Sequence, residues 1–166
     1  ADTPAAVGTL AGAPVHAYVW PTSLDPATVG FEPASGILAL AATSHPDFDD
    51  TPLYDENGDG DPANDGLDWH SHWVVLTPSE DCGPGALSVR DIPDGTTPQL
   101  PKTWPGLPLF IDSPDNRPVF DGPVVTVEID VAGAEGASYD GVTSALRVNA
   151  NLHTPLLCVT DVFDVA

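Results

Sequence analysis

His70 and His72 stand one residue apart in the stretch "DWHSHWVVL", Asp68 to Leu76, of a chain with five histidines in all. In a strand, residues i and i+2 point to the same face with about 6–7 Å of axial rise between them. Two imidazoles can lean together across that gap and share one ion at about 2 Å from each. In a helix the same pair would diverge, because i and i+2 do not face each other. The chemistry on offer is coordination of a transition metal, since imidazole suits zinc and copper alike. A lone histidine in a strand is ordinarily a hydrogen-bonded structural residue. Clustering sets this pair apart, because two imidazoles without a metal repel whenever both are protonated.

Other histidines extend the set. His16, in "VHAYVW", shares a strand face with Tyr18 and Trp20. His153 ends "LRVNANLH", where Arg147, Asn149, Asn151 and His153 form a polar face against Leu146, Val148, Ala150 and Leu152. The expected transition-metal ligands are therefore His16, His70, His72 and His153. His45 follows a strand candidate in "SHPDFDD", next to a run of carboxylates, and Asp47 or Asp161 offers an added oxygen. There is no methionine for a soft axial ligand, and Cys82 and Cys158 read as a disulfide pair. Zinc or type-2 copper is expected rather than blue copper. At His70 and His72 alone the pattern is similar to copper–zinc superoxide dismutase. The rest of that family's pattern is missing, and its activity is not carried over.

A second chemistry lies just upstream in "YDENGDGDPANDGLD", residues 54–68, where Asp55, Asn57, Asp59 and Asp61 alternate and Gly60 falls at the sixth place. This resembles the calcium loops of EF-hands and dockerin-like repeats, in which oxygens at the first, third and fifth places wrap one hard cation. The resemblance implies calcium held by Asp55, Asn57 and Asp59 with Asp61. It departs at the twelfth place, which is Gly66 where an EF-hand has a bidentate glutamate, and the flanks are not helical. Asp65 or Asp68 would have to close the site. The plainer alternative is a solvated Asx/Gly turn. Because the loop leads into His70, a structural calcium there would order the approach to a functional ion.

The elements that must position these groups are strands. Fifteen glycines and nineteen prolines cut the chain into short pieces, and no long stretch has a clean 3.6-residue period. Strand candidates rich in Val, Ile, Leu and Thr fall at 15–20, 36–44, 68–77, 86–92, 124–131, 141–152 and 155–165. Only "GILALAA" within the second of these could form a short helix. The Pro-dense 98–118 reads as an ordered loop packing Trp104 and Phe110 on the core. The expected architecture is all-β: one domain over 1–166, an antiparallel β-sandwich of Ig-like or Greek-key type, with seven or more strands and long Pro/Asp-rich loops.

Charge narrows the partners. Twenty-five acidic residues against four basic ones give a net charge of −21, which repels phosphate backbones and anionic headgroups. Nucleic acid is excluded as a partner. No apolar run is long enough for membrane insertion. Acid excess suits cation binding, solubility or life in high salt. The opening "ADTPAAVG" has the small, polar character left by signal-peptide cleavage, and with the cysteine pair it points to a secreted or periplasmic protein. Phosphate-binding and nucleophile motifs are missing, and Ser71 points away from the face of its flanking histidines. The reading is an exported acidic metal-binding protein with a histidine-held transition metal and a structural calcium loop. The alternatives are a calcium-stabilised adhesion or interaction domain, and a metalloenzyme whose three histidines leave a position open.

Overall fold

Turn residues at short intervals leave room for strands and little else, and that is what forms. The computed structural model describes residues 14–45, 53–65, 68–149 and 154–165. Among them are nine strands, two short 3-10 turns and no α-helix. The strands are β1 (Pro14–Pro21), β2 (Ile37–Thr43), β3 (His70–Pro78), β4 (Leu87–Val89), β5 (Ile111–Asp112), β6 (Val119–Asp121), β7 (Val124–Thr126), β8 (Val142–Val148) and β9 (Leu157–Val165). The "GILALAA" stretch is strand β2, not helix. Its residues from Leu38 to Thr43 are all buried, so both faces are covered and apolar residues occur without alternation.

All pairings are antiparallel, and the main sheet runs β2-β1-β8-β9-β4-β3-β5. Its first member also pairs with β3, from Ile37 opposite Leu76 to Thr43 opposite His70. That pairing closes six strands into a ring. The expected two-sheet sandwich is thus corrected to a barrel. β8 returns after a long connection to lie beside β1, a Greek-key crossover.

Three alanines on the inner face of β1 and β2 leave room for that closure. The interior is lined by Ala17, Val19, Ala39, Ala41, Val74, Leu76, Val89 and Leu146. Side chains already fill the interior of a barrel of about eight strands, so six strands need small residues facing in. Gly36 permits the tight β2–β3 junction, since a Cβ there would sit 2.6 Å from the Leu76 carbonyl oxygen.

A second core covers the outer face of β2 and β3, built from Phe31, Leu38, Leu40, Trp73, Val75 and Phe110. Phe31 stacks on Phe110 at 5.7 Å. Burying a side chain such as Phe110 contributes about 1.5–3 kcal/mol. The 98–118 segment supplies Phe110 to this core as expected, whereas Trp104 is half-buried outside it, its indole donating to the Leu109 carbonyl. The segment also contains β5, a two-residue strand that no periodicity announces. The strand expected over 124–131 stops at Thr126, although Val127 and Val131 still pack on the outer core.

Cys82 and Cys158 are joined, with Cα atoms 5.6 Å apart and a sequence separation of 76. Closing a loop of that length stabilises by about 4 kcal/mol in the chain-entropy model. It ties the turn before β4 to β9, which is β4's neighbour in the ring.

Candidate metal centre

Alternation along β3 sends His70, His72, Val74 and Leu76 to the barrel interior and Trp69, Ser71, Trp73 and Val75 outward. Register confirms the faces: His70 lies opposite Thr43 and His72 opposite Ala41, which also faces in. The two imidazoles therefore cap the apolar interior at the end of the barrel where β3 begins. Small neighbours leave them room.

The third member is His45. It lies two residues beyond β2, and Ala39, Ala41, Thr43 and His45 keep one parity. Extending the strand by those two residues brings His45 diagonally beside His70. All three histidines are buried, at 8% exposure for His45, 0% for His70 and 2% for His72. One ligand atom from each lies within 4.8 Å of the other two. The His70 and His72 rings are 4.7 Å apart between centroids, edge to face. Among the described residues this is the one group of three or more His, Cys, Asp or Glu side chains placed to hold a metal ion.

Hydrogen bonds set which nitrogen each ring presents. His70 Nδ1 lies 2.7 Å from the Asp68 carbonyl oxygen. A carbonyl only accepts, so Nδ1 carries the proton and Nε2 presents its lone pair. That Nε2 is 3.2 Å from His45 Nε2. His72 Nδ1 lies 3.1 Å from the Ser113 hydroxyl, leaving its Nε2 as the ligating atom. Ser113 is itself buried, one residue beyond β5. Anchoring one ring nitrogen on a carbonyl or hydroxyl is the usual second contact of a metal-bound histidine. Three imidazole nitrogens are the donor set of a zinc or copper site.

Of the other expected ligands, His16 is half-buried on β1, on the opposite face from Ala17 and Val19. That face points away from the barrel interior, so the structure does not bring His16 to the three. His153 and Asp47 lie outside the described residues, as does the side chain of Asp161. His45 was legible only as a residue after a strand. The missed signal is its parity with Ala39, Ala41 and Thr43.

The acidic loop is arranged differently. Asp55 accepts from the backbone N–H groups of Gly58, Asp59 and Gly60. Asn57 accepts from the Asp59 N–H, Asp59 from Asp61 and Asp61 from Ala63. The Asn64 amide first, then the Asp61 N–H, hold the Asp59 carboxyl below its ordinary range. Asp65 is fully buried and accepts from the Glu56 N–H. Among the described residues, the loop's carboxylates form no group of three convergent ligands. The loop nonetheless reaches the histidines: Asp68 donates its N–H to the Asp65 carbonyl and accepts from His70 with its own carbonyl.

No family model, curated protein or solved structure matches the chain. No helix of the described residues is long and apolar enough to cross a membrane.

Proposed function

We propose that this chain is an exported, acidic metal-binding protein that holds a transition metal through His45, His70 and His72. The observation that carries this reading is the convergence of three buried imidazoles, two of them anchored through the outer nitrogen. A tetrahedral zinc with bonds of about 2.0–2.1 Å sets its nitrogens about 3.3–3.4 Å apart. The same bond length in a square-planar copper site sets neighbouring nitrogens about 2.8–3.0 Å apart. The 3.2 Å between His45 and His70 falls between the two values, so the donor set suits zinc and copper alike.

Export is inferred from the disulfide, which persists in oxidising compartments. Calcium in the 55–65 loop, through Asp55, Asn57, Asp59, Asp61 and Asp65, is a subsidiary proposal resting on sequence spacing. An enzyme would use the position that three histidines leave open. Burial of all three rings favours holding the ion over admitting a substrate.

The test is elemental analysis and competition titration on protein purified without a polyhistidine tag. One zinc or copper per chain, lost in a His45→Ala, His70→Ala, His72→Ala triple variant, is the expected result. Wild-type protein binding no tighter than the triple variant would overturn the reading.

A further inference from the structure

We propose that a cavity on the outer face of β3 and β5 binds a small organic cation, a primary ammonium carried on a short apolar body. The cavity has a volume of about 310 Å³. That is the lower end of the range of about 300–1,000 Å³ for small-molecule sites, enough for an amine of a few carbons. Trp73 and Val131 supply apolar wall, and Asp112, Asp115, Asp130 and Tyr54 supply the polar lining. Trp73 and Asp112 are register partners, so both lie on the face opposite His72. The cavity and the histidine centre use two sides of the same strands.

The chemistry of the lining selects the ligand. Asp112 is 5% exposed, and its carboxylate accepts from the Thr103 hydroxyl. No Lys, Arg or His side chain is among the described residues lining the cavity. Arg90 is engaged elsewhere, over the Phe110 ring and 3.7 Å from Glu32. Burial pushes the Asp112 carboxyl up, against hydrogen bonds from Thr103 and the Ser113 backbone. Burial and then Asp112 push up the Tyr54 phenol as well. Burial leads both shifts; the Asp112 charge adds to it only at Tyr54, and no cation among the described lining residues offsets that charge. A bound ammonium would offset it through a hydrogen bond to a buried carboxylate, among the stronger kinds. Anions are repelled, and a neutral alcohol leaves the charge uncompensated.

The experiment is calorimetric titration with n-butylamine, using n-butanol as the neutral control. Salt of about 0.15 M screens exposed charges beyond about 8 Å and so removes diffuse attraction to an acidic surface. One amine site per chain is expected, with no heat from butanol and Kd raised more than tenfold by Asp112→Asn. That variant keeps the shape and the acceptor for Thr103. If it fails to fold, an Asp115→Asn, Asp130→Asn double variant at the exposed rim decides, with a several-fold rise in Kd expected. Equal binding of butanol, unchanged affinity in the folded variant, or many weak sites that vanish with salt would overturn the proposal. Metal content should be unchanged in every variant.

Discussion

The acidic loop and the histidine centre are neighbours in the chain and both consist of metal-ligating side chains, yet they use those side chains in opposite ways. In the loop, each acceptor turns back onto backbone N–H groups a few residues ahead, from Asp55 to Gly60 and from Asp59 to Asp61. These are Asx turns, made from whatever the local chain offers. In the centre, the outer nitrogens of His70 and His72 are held by Asp68 and by Ser113, which lies 41 residues away in sequence from His72. The inner nitrogens are thereby turned toward one another. A dense motif satisfies itself locally; convergence comes from buried strands that fix where each side chain points.

The comparison breaks most readily at the histidines. His45→Ala, His70→Ala and His72→Ala should each lower zinc affinity at least 100-fold in a competition titration. A double variant should lose little more than either single, because ligands of one ion act as a unit. Additive losses would mean that the three do not share an ion. Zinc at 100 times its Kd should stabilise the wild type by about 2.7 kcal/mol against thermal unfolding. The triple variant should show no such shift.

A smaller effect sharpens the contrast by testing the anchor instead of the ligand. Ser113→Ala keeps all three imidazoles but frees His72 to rotate. Loss of such a contact costs about 10–100-fold in metal affinity. Ser113→Thr, which retains the hydroxyl, should recover most of it. Equal affinity in Ser113→Ala and wild type would show that β3 alone fixes the His72 ring.

The same contrast explains what the sequence disclosed. Strand content, the His70–His72 face and the cysteine pair follow from period-two alternation and composition, which are local. Barrel closure does not, because it rests on β2 pairing with β3 as well as β1, and only the interior alanines hint at it. His45 escaped for a related reason. The strand assignment ends at Thr43, so His45 reads as loop unless parity is carried past the last ladder bond. His16 sits in a strand, but its parity is that of Tyr18, which packs at 5.7 Å from Trp69 on the outer face. Asp112 and its cavity gave no signal, since β5 is two residues long and its partner Trp73 is distant in sequence.

The smallest expected effect belongs to the loop. If calcium binds there, EGTA-treated protein should gain a few degrees in melting temperature on calcium addition and little on magnesium, which demands stricter octahedral geometry. Asp55→Ala should abolish that gain, since Asp55 also gathers three backbone N–H groups. The loop has a second, metal-independent signature. Hydrogen bonds hold the Asp59 carboxyl below its ordinary value of 3.8. A carboxylate depressed in the folded state contributes stability that is present above the unfolded pKa and is lost as pH falls through the folded one. Amide exchange at Asp61, bonded to that carboxylate, should therefore stay protected at neutral pH and accelerate below about pH 4, beyond the intrinsic pH dependence. A calcium response together with this acid transition would make the loop a second ion site. The acid transition without the calcium response would leave it a turn that its own backbone already satisfies.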